Sequence, residues 1–272
     1  MKALKWVVKR FFPKKLLKGI KDLRLKVKGR KNERLFKGQN VICPCCGKMF
    51  SRFMDYIDDH PRFKDTYKNT QCPYCFSAPR HRIICSYLEN NIDNVFGKRD
   101  NAIIMFGAEY SIKKWFHRNG FRYVTSDLFD RTADIMCDIQ NTPFPDETWD
   151  LIVCNHVLEH VPDYKKSLKE LQRILKKDGL LELTVPTDRN FETVFENPSI
   201  VSKEERTKIF GQYDHVRIFG NDFENILVEL GFSVEVVDGN NLPDNIVGVI
   251  GPANYDDNRV YLCRKNVTKT DQ

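Results

Sequence analysis

Four cysteines stand in two Cys-x-x-Cys pairs, Cys43/Cys46 and Cys72/Cys75, with 25 residues between Cys46 and Cys72. A tight turn carrying two thiolates points both sulfurs inward, so two such turns supply the four soft ligands of a tetrahedral Zn2+. Pro44 and Pro73 within the turns and Gly47 after the first suit that geometry. The spacing predicts a closed, structural zinc site on Cys43, Cys46, Cys72 and Cys75, with Cys45 as the substitute thiol; the alternative is four reduced thiols without metal. A second set of polar residues follows short apolar runs: Asp127, Asp138, Asn155 and His156. His156, Glu159 and His160 share one side of a helical turn by their spacing. Asp214-His215 and Arg217 lie in a third segment, GQYDHVRIFG. There His215 is the candidate general base, Asp214 its orienting partner and Arg217 an anion contact. The competing reading is a loop packed by Tyr213, Ile218 and Phe219.

These residues need elements to hold them. Apolar runs at 102–106, 121–126, 151–154 and 180–185, bounded by turn signals, predict buried parallel strands. A short strand is expected near 134–137, and two more at 232–237 and 259–264. Helices are expected at 111–119, 164–175 and 222–230, with Gly120 and Gly231 as stops and residues 176–179 as a turn. Strands alternating with helices mean a doubly wound, mostly parallel α/β sheet of seven strands covered on both faces. In such sheets ligands sit beyond the carboxyl ends of the strands, where Asp127, Asp138, Asn155 and His156 fall. Arg80-His81-Arg82 opens a further helix after the second knuckle, either as an anion clamp or as a solvated helix start. Phe50, Phe53, Met54, Tyr56, Phe63 and Tyr67 between the knuckles read as a small aromatic core, with a substrate-facing surface as the alternative.

Charge divides the 272-residue chain unevenly, although it is an ordinary 41% hydrophobic and 30% charged overall. Residues 1–40 hold fifteen Lys/Arg and two Asp/Glu, a net +13, whereas the remainder holds 29 basic and 35 acidic residues. Leu4, Val7, Val8, Phe11 and Phe12 recur at helical spacing against Lys2, Lys5, Lys9 and Arg10, and Pro13 breaks the run. Leu16, Leu17, Ile20 and Leu23 begin a second amphipathic segment. A basic face beside an apolar stripe is the composition of a helix lying on an anionic membrane surface. Nucleic acid and docking on the protein's own body are the rivals. No run approaches the ~18 apolar residues of a membrane span, and no apolar signal core is present. With nine cysteines placed in knuckles and apolar settings, this points to a reducing, cytoplasmic location, peripheral on the inner membrane face. The expected organisation is a basic arm (1–40), a zinc module (41–90), a catalytic domain (100–265) with an insertion at 187–220, and a polar tail (266–272).

The order of elements, with DIQNTPFPDETWDLIVCNHVLEHV and LKELQRILKKDGLLELTVP, resembles a class I S-adenosylmethionine-dependent methyltransferase of the type 11 kind over residues 100–265. The knuckles, the Arg-His-Arg triplet and FGQYDHVRIFG resemble a bacterial subgroup with a zinc-ribbon-like N-terminal module. The resemblance implies a Rossmann-like methyltransferase fold and roles for single residues. Gly107 and Glu109 would meet the methionine end of the cofactor. Asp127 would accept from the ribose hydroxyls, Asp138 from the adenine amino group, and Ile139 would lie along the base. Asn155 and His156 would line the pocket near the methyl group. The acidic choices make physical sense, since hydroxyls and amino groups donate to carboxylates. Where the family usually carries Gly-x-Gly-x-Gly, this chain has Phe106-Gly107-Ala108-Glu109-Tyr110. Some related O-methyltransferases bind a divalent cation through Glu-x-x-Glu-His, and this chain keeps Glu159-His160 after His156.

The expected activity is methyl transfer from S-adenosylmethionine, most naturally to a hydroxyl of a sugar, a lipid-linked glycan or another small molecule. An RNA methyltransferase whose arm and zinc module grip phosphates is the first alternative. A non-catalytic scaffold that keeps the fold is the second.

Overall fold

The computed structural model describes residues 14–58, 65–97, 101–239, 255–256 and 259–266. The first amphipathic stripe of the arm, Phe63, most of residues 239–257 (a stretch rich in Gly, Asn, Pro and Asp before the last strand), and all but the start of the tail lie outside the described residues.

Seven strands form the central sheet: β1 Ile103–Phe106, β2 Val124–Asp127, β3 Ile135–Met136, β4 Trp149–Asn155, β5 Leu175–Thr184, β6 Phe232–Asp238 and β7 Arg259–Lys265. Their spatial order is β3-β2-β1-β4-β5-β7-β6. All neighbours are parallel except β7, which runs antiparallel to both β5 and β6. The register sets Phe106 opposite both Ser126 and Cys154, and Asn155 opposite Thr184. The carboxyl ends of β1, β2, β4 and β5 therefore open on one edge. Strand order reverses at β1/β4, which is where a doubly wound sheet leaves a crevice.

Alternation along the strands feeds two cores. On one face Ile104, Ile152, Cys154, Leu181 and Leu183 meet α5 (Tyr164–Ile174) and α7 (Phe223–Glu229). Tyr164, Leu168, Leu171 and Ile174 form the buried stripe of α5, and Asp163 caps it by accepting from Lys166 N at 2.8 Å. On the other face Met105, Val153, Leu180 and Leu262 meet α2 (Pro79–Asn90) and α4 (Tyr110–Arg118). This second core runs without a break into the knuckle cysteines.

Two boundaries differ from the sequence expectation. Residues 176–179 do not turn; β5 begins at Leu175, which pairs with Trp149 and is fully buried, while Lys176 Nζ holds Asp150 Oδ2 at 2.8 Å. Phe121 is not in β2. It stacks with Phe96 and Trp115 at centroid distances of 4.2 and 5.7 Å, so aromatic packing takes it out of the ladder. α3 (Ile92–Phe96) and α6 (Lys203–Phe210) are shorter connecting helices.

α1 (Lys14–Leu35) has 22 residues and a length of about 33 Å. It is docked on the body: Lys18 and Lys21 pair with Asp134 and Asp130, and Glu33 pairs with Lys48. Its other side leaves Leu16, Leu23 and Val27 exposed.

Candidate functional site

The first knuckle is the tip of a hairpin between Val41–Cys43 and Lys48–Phe50, with Gly47 N–H donating to Cys43 O at 2.8 Å and Gly47 at φ 71°. In the second, Phe76 N–H donates to Cys72 O and Cys72 N–H to Ser77 O, both at 3.0 Å. The four sulfurs of Cys43, Cys46, Cys72 and Cys75 converge to within 4.8 Å of one another. Cys43–Cys75 and Cys46–Cys72 stand 3.6 and 3.8 Å apart. A tetrahedron with Zn–S bonds of about 2.3 Å has edges of about 3.8 Å, so the donor set fits zinc. Cys45 lies outside this four-sulfur set, its thiol donating to His81 O at 3.3 Å.

Arg82 is neither a solvated helix start nor an anion clamp. It is fully buried, donates to Ser77 O and Thr70 O at 2.6 and 2.7 Å, and lies 4.1 Å from the Phe53 ring centroid. Four thiolates around a Zn2+ would leave a net −2, and this buried guanidinium beside the cysteines would be its counter-charge.

At the β1/β2 end a cavity of about 240 Å3 is lined by Gly107, Ala108, Ser126 and Asp127. Gly107 is required there. It sits at φ 62°, and a Cβ would come within 2.9 Å of Val157 Cγ2. Asp127 uses Oδ1 to accept from Phe129 N and Asp130 N, both at 2.7 Å, which shapes the turn beneath the cavity. Asp138 likewise accepts from Gln140 N at 2.9 Å, and the neighbouring Ile139 is buried. Glu109 does not face an open cradle. Its Oε1 lies 3.0 Å from Arg80 Nη2 and 2.6 Å from His81 Nε2. Burial pushes this carboxyl up, but His81 and Arg80 outweigh burial and hold it well below the usual carboxylate range. His81 Nδ1 accepts from Ala78 N at 2.8 Å, which places its ring proton on Nε2.

At the β4/β5 end the structure brings together residues far apart in the chain. His156 follows β4 with φ 51°, and its Nδ1 lies 3.1 Å from Glu159 Oε1. Glu159 is wholly buried. Burial raises its pKa, but His156, His160 and His215 around it bring the carboxyl below its ordinary value, so it is an anion among imidazoles. The ligand-capable atoms of Glu159, His160 and His215 lie within 4.8 Å of one another. The His160 and His215 rings meet edge to face at 4.6 Å.

His215 Nδ1 lies 3.2 Å from Phe210 O. A carbonyl only accepts, so Nδ1 carries the proton and Nε2 keeps its lone pair. Burial lowers the His215 pKa, keeping the ring neutral. Asp214 does not stand behind His215 as its orienting partner. Its Oδ2 is 3.6 Å from His160 Nδ1, and Phe210 O takes the role expected of it. Arg217 is no anion contact either. It is buried, donates to Leu158 O, Val161 O and Pro162 O, and pairs with Glu196. It staples the insertion to residues 158–162, and this holds His215 against Glu159. The short interval between His215 and Arg217 is the only sequence sign of it.

Glu182 was not legible as a site residue. It is fully buried on β5 beside Asn155, whose Oδ1 accepts from Thr184 Oγ1 at 2.7 Å. Burial pushes the Glu182 carboxyl up to about 8, with Asn155 drawing it partly down. An acid raised from 4.5 to about 8 binds more protons folded than unfolded, so stability falls as pH rises through that window, by about 1.4 kcal/mol per pH unit at most. Glu182→Gln is expected to remove this slope. Urea unfolding at pH 5.5 and 7.5 should show the variant gaining about 2–3 kcal/mol on wild type between the two. A parallel loss in both proteins would exclude a raised Glu182.

A seven-stranded sheet with one antiparallel strand, a glycine turn after β1 and carboxylates after β2 and β3 has the Rossmann-like topology of the class I methyltransferase fold. Residues 107–237 match the family described as "Methyltransferase domain". The chain is 39% identical over 84 residues to an uncharacterized protein, MJ0638, of Methanocaldococcus jannaschii, covering 29% of this chain and 36% of that one. It is 39% identical over 61 residues to a demethylmenaquinone methyltransferase of Staphylococcus haemolyticus, covering 21% and 26%. The alignments thus span about a third or less of these curated relatives. The crystal structure of YcgJ from Bacillus subtilis aligns over 59% of this chain and 80% of that one, with a TM-score of 0.40 and 15% identity.

Proposed function

We propose that this protein transfers the methyl group of S-adenosylmethionine to a hydroxyl of a small acceptor, such as a sugar or lipid-linked glycan. The observation that carries this reading is His215: a neutral imidazole with a free Nε2, held by Phe210 O beside the buried Glu159 anion at the carboxyl edge of β4. When bound, S-adenosylmethionine supplies an electrophilic methyl on a sulfonium. Backbone at Gly107 and Ala108 approaches the cofactor, Asp127 accepts from the ribose, and Asp138 and Ile139 receive the adenine. His156 and Asn155 wall the methyl end. With the methyl donor supplied by the bound cofactor, His215 Nε2 would take the acceptor's hydroxyl proton, and Glu159 would stabilise the resulting imidazolium. Zn2+ on Cys43, Cys46, Cys72 and Cys75 is structural.

A second reading rests on the convergence of Glu159, His160 and His215, a carboxylate with two imidazoles, which is a donor set that divalent transition metals use. A cation there would acidify the acceptor hydroxyl. Removing labile divalent ions while the cysteine-bound zinc is retained separates the two: undiminished turnover supports the base, and loss restored by Mg2+ or Mn2+ supports the cation.

The outward side of α1 presents Leu16, Leu23 and Val27, 47, 59 and 59% exposed, among Lys and Arg. That composition supports peripheral docking on an anionic membrane at the cytoplasmic face, where a lipid-linked acceptor would lie. No described helix is long and apolar enough to cross a membrane. Labelled methyl from S-adenosylmethionine offered to fractionated lipid, glycan and RNA extracts tests the acceptor class. Label in lipid or glycan is the expected result; label in RNA alone would replace the acceptor, and no S-adenosylhomocysteine binding by calorimetry would leave a scaffold.

A further inference from the structure

The cavity beneath the carboxyl ends of β1 and β2 is not closed by the sheet domain alone. Lys18 and Lys21 of α1 line it together with Gly107, Ser126 and Asp127. Both lysines reach one turn, the connection between β2 and β3, with Lys18 half-buried and Lys21 exposed. Lys18 Nζ lies 3.2 Å from Asp134 Oδ1, and Lys21 Nζ 3.2 Å from Asp130 Oδ2. These two carboxylates are shared with the turn's own frame. Asp134 Oδ2 accepts from Thr125 N and Thr125 Oγ1 at 3.0 and 2.7 Å, and Asp130 Oδ1 accepts from Thr132 N at 2.8 Å. Asp127 shapes the start of the same turn through Phe129 N and Asp130 N. A movement of either aspartate is therefore a movement of the cavity floor.

The far half of α1 is seated on the knuckles. Gly29 lies so close to the second knuckle that a Cβ there would come within 2.3 Å of Tyr74 O. Lys28 Nζ sits 5.2 Å from the Phe76 ring centroid, and Glu33 Oε1 holds Lys48 Nζ at 2.6 Å beside the first knuckle. One helix thus spans from the cysteine module to the β2–β3 turn. Gly29 cannot retreat from the knuckle by substitution, so the position of Lys18 and Lys21 is set from the cysteine end.

We infer that α1 is a structural wall of the cofactor cavity, with Lys18 and Lys21 as positioning residues that clasp the β2–β3 turn and retain the nucleoside end of the cofactor. The inference rests on the cofactor reading above. It gives part of the basic arm a role inside the molecule, distinct from its outward apolar stripe. The ion pairs are half exposed, so each adds little to folding stability. Their effect is on the geometry and closure of the cavity.

The test is calorimetric binding of S-adenosylhomocysteine to full-length protein. Lys18→Asp/Lys21→Asp places like charges against Asp134 and Asp130, and is expected to weaken binding about tenfold or more while leaving the thermal midpoint nearly unchanged. Lys18→Arg/Lys21→Arg keeps both positive charges against the intact aspartates and is expected to keep a large part of the affinity. Leu16→Ser/Leu23→Ser, on the outward side, is expected to bind like wild type. Equal affinity in wild type and the double Asp variant overturns the clasp. An Arg variant that binds as weakly as the double Asp variant overturns it as well, because the loss would then not follow the charge at these two contacts. Absence of binding in wild type itself removes the cofactor reading first, and the clasp with it.

Discussion

Replacing His215 with Ala is expected to lower kcat by about 10²–10⁴-fold, the span that a positioned general base contributes, while the affinity for S-adenosylhomocysteine stays at its wild-type value. The geometry separates the two effects. His215 belongs to the insertion and stands beside Glu159 and His160, whereas the cavity proposed for the cofactor is built at the β1/β2 end. Burial lowers the His215 pKa, so the acidic limb of the rate profile should fall below the ordinary histidine value of 6.5, where the ring takes up its proton and ceases to be a base. Glu159→Gln keeps the shape of the side chain and removes the anion that stabilises the imidazolium. It should lower kcat and move that acidic limb further down, since the neighbouring carboxylate raises the His215 pKa. Unchanged turnover in His215→Ala would end the base assignment. Steady-state rates from pH 5 to 9, with binding measured separately, provide the check.

Cys72→Ser is expected to abolish zinc binding and to unfold the cysteine module together with the helices seated on it. A structural zinc site of four cysteines contributes on the order of 10–16 kcal/mol of apparent binding energy at neutral pH, comparable to the whole stability of a typical domain. The loss would not stay local. The knuckle cysteines share one buried core with α2, α4 and the face of the sheet carrying Met105, Val153 and Leu262. Without zinc, the buried Arg82 also loses its counter-charge, at a cost of about 3–5 kcal/mol for an uncompensated buried ion. Metal analysis should find one zinc per chain in wild type and none in the variant, with a thermal midpoint lowered by well over 10 °C. Cys45→Ser is the matched control. Its thiol donates to His81 O and is not one of the four converging sulfurs, so zinc content should be retained. Wild-type protein without zinc, or an unmoved midpoint in Cys72→Ser, would remove the metal from the structure.

The elements were largely legible in the sequence because each depends on neighbours within a few residues. The apolar runs became β1, β2, β4 and β5, and the Leu168/Leu171/Ile174 stripe became the buried face of α5. The two Cys-x-x-Cys turns were legible for the same reason, since two residues of spacing set the direction of two sulfurs. The misplaced boundaries were those where packing overrode a local signal, with Phe121 drawn into an aromatic cluster and residues 176–179 straightened by the Lys176–Asp150 pair.

By itself, then, the sequence determined the class of fold, the zinc-type donor set and the carboxylates that close β2 and β3. The tertiary structure alone decided which distant groups share a site. Glu159 meets His215 because Arg217 pins the insertion to the carbonyls of residues 158–162. Lys18 meets Asp134 across 116 positions because Gly29 lets α1 press against a knuckle. Glu182 became a neutral acid only when strands on both sides removed it from water. Periodicity and spacing record interactions along the chain, whereas desolvation and long-range contact arise only when the sheet, the insertion and the arm have been packed together.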